Sequence, residues 1–239
     1  MSRPDGRGPG DLRKITIELG VASYAEGSAM IQAGGTKILC AATVEDGIPH
    51  FMKGKGRGWV TAEYAMLPRA THTRTDRERR GAGGRTMEIQ RLLGRSMRTV
   101  VDTAQMGERT VIVDCDVIQA DGGTRTLAVT GAFVALYQAM RGMVERGIIA
   151  RNPIRDFVAA VSVGMVDGAS VLDLCYTEDS RADVDMNIVM TGAGKFIEVQ
   201  GTAEKTPFGR EELDSLMGLA SMGIGQLIEM QKIALGIRD

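Results

Sequence analysis

From Thr126 to Met140 the chain runs without a single charged side chain. A helix that is apolar on every side has to be buried. The segment is therefore predicted to be a core helix, continuing to about Glu145. It falls short of the ~20 residues that span a bilayer, and no other apolar run approaches that length, so no membrane partner is expected. A period-two strand over residues 110–118 leads into it through Asp121-Gly122-Gly123-Thr124-Arg125.

The pattern around this helix divides the chain into two halves, 1–150 and 151–239. Residues 15–19 alternate Ile15, Ile17 and Leu19 with polar positions, a half-buried strand. Residues 29–33 and 37–44 flank Gly34-Gly35 as a hairpin. A long basic stretch rich in Gly and Thr follows. From about Thr86 a helix is predicted, with Ile89, Leu92, Leu93, Met97, Val100 and Val101 as one apolar stripe. Arg91, Arg95 and Arg98 lie on its other side. After Asn152-Pro153, residues 158–166 and 169–176 read as a hairpin around Asp167-Gly168. Residues 187–190 and 196–199 are further strands, and 211–235 is an amphipathic helix. Each half is antiparallel strands followed by helix, which predicts an α+β fold of pseudo-duplicated β-then-α units packed as one compact subunit.

Hydrophobic residues make up 44% and charged residues 25%, which excludes wholesale disorder. Glycine, 31 of 239 residues, is nearly twice its usual ~7% share and implies tight turns. The three cysteines, Cys40, Cys115 and Cys175, are dispersed without a Cys-x-x-Cys pair. They read as reduced core thiols, and with no apolar stretch over residues 1–7 the expected location is cytoplasmic.

The net charge of -1 hides a strong asymmetry. Residues 53–98 carry twelve basic and four acidic side chains, a local excess of +8 that leaves -9 for the rest. Most of the twelve are arginine, whose planar fork suits bidentate phosphate contacts. Nucleic acid or a subunit interface is the expected partner of such a segment.

Three groups of residues can carry chemistry. Gly122-Gly123-Thr124-Arg125 opens the core helix, where free amides, the positive end of the helix dipole, a hydroxyl and a guanidinium would meet as an anion site. The plainer reading is a glycine turn with Thr124 or Thr126 as an ordinary N-cap. Gly83-Gly84-Arg85 opens the preceding helix in the same manner. Asp179, Asp183 and Asp185 place three carboxylates within seven residues. If that segment is extended, Asp183 and Asp185 share a face and could hold Mg²⁺ or supply a general acid, or they form a solvated acidic loop. His50 and His72 are too isolated for a histidine mechanism. An anion pocket, clustered carboxylates and a cationic arm together suit phosphoryl transfer on a polyanion, with phosphate as a possible nucleophile.

Over its whole length the sequence resembles the ribonuclease PH family of phosphate-dependent 3′ exoribonucleases. The resemblance rests on RPDGR (3–7), GWVTAEY (58–64), MLPR (66–69), GRTMEIQR (84–91), QADGGTR (119–125), DVDMN (183–187) and EVQGTAE (198–204). It implies a ribosomal protein S5 domain 2-like fold and a homohexamer built as a trimer of dimers. It implies trimming of tRNA precursor 3′ ends with release of nucleoside diphosphates, a reversible nucleotidyltransfer. Inorganic phosphate, the co-substrate, would sit at Arg85, Gly123, Thr124 and Arg125. Asp179 and Asp185 would serve Mg²⁺ binding and proton delivery to the leaving ribose oxygen. Arg69, Arg74 and Arg77 would contact RNA or a neighbouring subunit. Two alternatives stay open: a non-catalytic RNA-binding ring subunit of an exosome-like complex, and an Mg²⁺-dependent hydrolytic nuclease.

Overall fold

A computed structural model of the chain describes residues 3–78 and 81–237. Arg79 and Arg80, part of the basic segment, lie outside the described residues. The first half builds a five-stranded sheet from β1 (Ile15–Leu19), β2 (Gly27–Ala33), β3 (Thr36–Asp46), β4 (Trp59–Met66) and β5 (Arg109–Gln119). Their order is β1-β2-β3-β5-β4, antiparallel throughout except that β4 runs parallel to β5. Between β4 and β5 lies α1 (Gly84–Thr99), and α2 (Thr124–Glu145) follows β5.

The second half forms an antiparallel sheet of order β7-β6-β8-β9 from β6 (Val158–Val166), β7 (Ala169–Leu172), β8 (Val184–Thr191) and β9 (Phe196–Ala203). A one-turn helix, α3 (Tyr176–Asp179), precedes β8, and α4 (Arg210–Leu235) closes the chain against β6 and β7. The architecture is the expected α+β fold.

Helix α2 is the centre of the molecule. It packs on β2, β3 and β5 from one side and on β6 from the other, so its apolar circumference faces two sheets. Phe133 is fully buried there, with its ring centre 5.1 Å from that of Phe157. The helix is long and apolar enough to cross a membrane by length and composition, yet 72% of its most apolar window is buried inside the protein, as befits a core helix. It lies so close to the first sheet that a Cβ on Gly27 would stand 2.1 Å from the Ala135 carbonyl oxygen. Only glycine fits that approach.

Within the basic stretch, to which the sequence pattern assigned no element, residues 59–66 form an edge strand whose buried positions Val60, Ala62 and Tyr64 alternate with outward-facing ones. Its flanking Lys, Arg and Gly obscured a period-two pattern only a few residues long. The α1 stripe is shorter than predicted: Val100 and Val101 are buried but follow the helix, Val101 bridging to Ile154. Cys40 and Cys115, distant in sequence, are direct cross-strand neighbours on β3 and β5, and all three cysteines are free and buried.

Candidate active site

The end of β5 delivers the chain to α2 through two consecutive left-handed glycines, Gly122 (φ 76°) and Gly123 (φ 63°). Gly123 is the N-cap of α2, and no side chain caps this helix end. Thr124 and Thr126 are engaged elsewhere. The Thr124 hydroxyl accepts a hydrogen bond from the buried Tyr64 hydroxyl (2.9 Å), and the Thr126 hydroxyl donates to the Gly123 carbonyl (3.0 Å). The plain N-cap reading therefore fails. The first-turn amides of α2, which have no partner inside the helix, keep their capacity to bind an anion.

Four elements converge on this turn. Arg85 stands in the first turn of α1, whose N-cap Gly83 likewise lacks a side-chain cap. Arg125 follows Thr124 in α2. Asp179 ends α3, and Asp185 lies on β8 opposite Gly164 and Thr202. A cavity of about 390 Å³ is lined by Arg85, Gly123, Thr124, Arg125, Asp179 and Asp185 together, with Ser162 and Asn187. A neighbouring cavity of about 520 Å³ shares Arg85, Arg125, Asp179 and Asp185 and extends to Gln200, Glu204 and Lys205. All six expected phosphate and carboxylate residues thus face one hollow.

The two arginines differ in restraint. Arg125 donates to Glu88 Oε1 (3.2 Å) and to Gln200 Oε1, while Gln200 Nε2 donates to the same Glu88 oxygen (2.7 Å). Its guanidinium is held in place by two groups that also hold each other. Arg85 is exposed at the helix start and forms no ion pair among the described residues.

The carboxylates differ as well. Burial pushes Asp185 up to about 6, with Asp179 adding to the shift, while Arg125 and the Asn187 amide (3.4 Å from Asp185 Oδ2) oppose it. Asp179 is also raised by burial, which outweighs the nearby Arg85 and Arg125 cations. A carboxyl titrating near neutrality is suited to proton transfer. Two crowded acids beside open space also fit a cation between them. Among the described residues no group of three or more His, Cys, Asp or Glu is placed to hold a metal, so such an ion would complete its shell from water and substrate oxygens, as Mg²⁺ commonly does.

The carboxylate trio splits. Asp183 lines neither cavity; its side chain faces Lys205 (3.7 Å) and its amide donates to the Met165 carbonyl. Asp179 reaches the site from a helical turn, at the end of α3. Arg69, Arg74 and Arg77 are exposed on the loop after β4 and line neither cavity; Arg74 pairs locally with Asp76 (2.6 Å).

Two buried ion pairs behind the site escaped sequence reasoning. Arg13, 4% exposed, donates to both carboxylate oxygens of Asp173 (2.7 and 3.0 Å) and to the Asp121 carbonyl (2.5 Å). It thereby grips the glycine turn from beneath. Asp173 itself holds a left-handed backbone (φ 55°), a strain that this pairing helps to maintain. Arg3 donates to both oxygens of the buried Glu178 (2.7 and 2.9 Å), fixing α3 just before Asp179. The one sequence signal was Asp173 itself, a charge inside the apolar run Val171-Leu172-Asp173-Leu174.

Comparison with known proteins agrees with this geometry. Residues 11–141 match the model of the 3′ exoribonuclease family, domain 1, and residues 156–223 that of domain 2. Ribonuclease PH of Syntrophomonas wolfei subsp. wolfei is 57% identical over 239 residues, covering 99% of this chain and 100% of that protein. Among solved structures, rice (Oryza sativa) Rrp46 superposes with a TM-score of 0.79 at 18% identity, covering 98% of this chain and 100% of the other. The Archaeoglobus fulgidus exosome with RNA bound to its active site gives 0.81 at 23%, covering 95% and 92%.

Proposed function

The chain belongs to the 3′ exoribonuclease family typified by ribonuclease PH, and on that premise we infer that it is a phosphorolytic 3′-to-5′ exoribonuclease. It removes nucleotides from tRNA precursor 3′ ends and releases nucleoside diphosphates. The observation that carries this reading is the meeting of Arg85 and Arg125 with the uncapped start of α2 beside Asp185, whose carboxyl burial pushes up to about 6.

We propose the following division of labour. Phosphate sits against the first-turn amides of α2, with Arg85 and Arg125 on its oxygens. One of those oxygens attacks the terminal phosphodiester phosphorus, the bond from phosphorus to the ribose 3′ oxygen breaks, and the departing oxygen takes the Asp185 proton. The arginines and amides offset charge gathering on the phosphoryl oxygens without having to reorient. Arg13 keeps the turn in register from below. Asp179 and Asp185 would hold Mg²⁺, which when bound would neutralise part of the charge on the reacting phosphates.

A ring of six subunits, a trimer of dimers, is proposed in addition. Its support is the exposed loop carrying Arg69, Arg74 and Arg77, which faces solvent where acidic surface on a neighbour or phosphates of a tRNA body can approach. A cytoplasmic location fits the three buried free thiols.

The test is incubation with a 3′-extended RNA with and without phosphate. Shortening that requires phosphate and yields nucleoside diphosphates supports phosphorolysis. Monophosphates in phosphate-free buffer would establish hydrolysis instead, and no shortening under either condition would favour a binding-only ring subunit.

A further inference from the structure

At the opposite end of α1 and β4 from the phosphate site lies a second basic cluster, built around exposed aromatic surface. The segment 47–58, between β3 and β4, has no acidic residue and carries Lys53, Lys55 and Arg57, all exposed. Phe51 is 59% exposed and packs edge-on against Trp59 (ring centres 5.2 Å apart). The Arg98 guanidinium lies over the Trp59 ring at 4.2 Å and donates to the Val60 carbonyl. A cleft of about 300 Å³ opens between Lys55, Arg57, Trp59 and Arg98, with no carboxylate in its wall. Lys53, Lys55 and Arg57 form no ion pair among the described residues.

Unneutralised cations beside a solvent-facing ring are the two parts of a single-strand binding site, cations for phosphates and a flat face for a base. Burial and the neighbouring Arg95 both push Arg98 below the usual guanidinium range, although Arg95 itself pairs with Glu198 (2.5 Å). The aromatic contact around Trp59 keeps the exposed Phe51 ring in place.

Two rulers place this cluster relative to the reaction. From Arg85 to Arg98 is thirteen residues of α1, about 20 Å at the helical rise. From Trp59 to Met66, which lines the phosphate cavity, is seven residues of β4, about 23 Å. Between the two ends a shallow groove along α1 is lined by Gly84, Arg91 and Arg95 and also by Glu88 and Glu198, the last paired with Arg95; Arg91 and Arg95 share one stripe of the helix with Arg98. At the ~3.4 Å rise of stacked bases, 20 Å corresponds to about six nucleotides.

We propose that Phe51, Lys55 and Arg57 form a distal anchoring site for single-stranded RNA, holding the substrate about six nucleotides upstream of the 3′ end. This rests on the exoribonuclease reading above. The site would make the enzyme sensitive to substrate length: RNAs long enough to reach it are gripped at two points, shorter ones at one.

The experiment compares phosphorolysis of a 4-nucleotide and a 12-nucleotide single-stranded RNA by the unmodified protein, Phe51→Ala and the double variant Lys55→Ala/Arg57→Ala, each sized by light scattering. Loss of one stacked base is expected to raise KM for the 12-mer roughly tenfold. Removal of two phosphate contacts should lessen the salt slope of 12-mer binding by about 1.4. The 4-mer parameters and the KM for phosphate should stay unchanged in both variants. Equal losses on both RNAs, no loss on either, or a loss accompanied by altered subunit assembly would overturn the proposal. Fluorescence anisotropy of the labelled 12-mer is measured alongside. If the unmodified protein degrades neither RNA, the enzymatic reading fails, while weaker binding by the variants would still uphold the anchoring site.

Discussion

Arg13 and Asp173 stand 160 residues apart and form one buried pair: the Asp173 carboxylate accepts from the Arg13 amide (2.8 Å), Nε (3.0 Å) and Nη2 (2.7 Å). The same guanidinium donates to carbonyls of the Asp121-Gly122 turn. The segment just before β1 thus ties the second half of the chain to the floor of the phosphate site.

Arg13→Ala leaves the buried Asp173 carboxylate with only the longer Arg7 ion pair (3.6 Å) and takes away one of the two side chains, Arg13 and Thr36, that hold the turn. Breaking a buried pair in this way typically destabilises by about 3–5 kcal/mol. Urea unfolding is expected to show that loss. Under conditions where the variant stays folded, KM for phosphate should rise. Arg13→Lys keeps the charge but not the fork, so it should fall between the two. Unchanged stability in Arg13→Ala would remove the pair from the account.

Asp185 links activity to pH and to stability. Its folded value of about 6 lies above the ordinary 3.8, so the folded protein takes up this proton before the unfolded chain does. In metal-free protein, stability from this group is therefore gained as pH falls through 6 and is absent at pH 8. Asp185→Asn should stabilise the protein at pH 8 by at most about 3 kcal/mol, the advantage vanishing below pH 4. Its turnover should fall about 10²–10⁴-fold while RNA binding persists. Asp183→Asn, altered outside both cavities, should keep near-normal turnover. The reverse pattern would transfer the proton to Asp183.

Arg85→Ala and Arg125→Ala should each raise KM for phosphate and lower turnover, because both groups contact the nucleophile before and during transfer. Arg125 is also held by Glu88 and Gln200, so Gln200→Ala is expected to give a milder form of the same defect. Steady-state kinetics with phosphate as the varied substrate decides this. A change confined to KM for RNA would point to another anion site.

Gly122→Ala should lose phosphate binding. A Cβ there would lie 2.6 Å from the Leu174 carbonyl and 2.8 Å from the Tyr176 amide, both backbone atoms that cannot rotate away, at φ 76°. Gly20→Ala is the control, since Gly20 also has a positive φ (70°) but open space around it. That substitution should cost only the left-handed strain, about 1–2 kcal/mol, with normal phosphate kinetics. Equal effects of the two would mean that the clash at Gly122 is relieved by local movement.

The assembly proposal predicts a hexamer by light scattering. Arg74→Ala protein of intact size should lose more activity on a tRNA precursor than on a short oligonucleotide. An unmodified monomer with full tRNA-trimming activity would refute the ring, and equal losses on both substrates would count against the arm.

Much of this architecture was legible in advance because it is written in short-range pattern. The charge-free run at 126–140 required a buried helix, and the paired glycines before Thr124 and Arg85 marked two helix starts. The strand β4 was obscured because a lone edge strand between basic loops offers only Val60, Ala62 and Tyr64 as its inward face. The conditional pairing of Asp183 with Asp185 on one extended face did not hold, because spacing in sequence cannot say where an extended segment begins. Asp179 falls in a helical turn, and only Asp185 lies on the strand.

What the sequence determined by itself was the kind of most elements and the chemical types available, since hydrogen-bond period, glycine conformation and charge are local properties. Tertiary structure alone decided which residues meet. Arg85, Arg125, Asp179 and Asp185 come from four elements and face one cavity only because α2 is packed between two sheets and carries the Gly122-Gly123 turn to the edge of the second. The upward shift of Asp185 arises there as well, because removal from water is a property of the assembled walls and not of any residue in the chain.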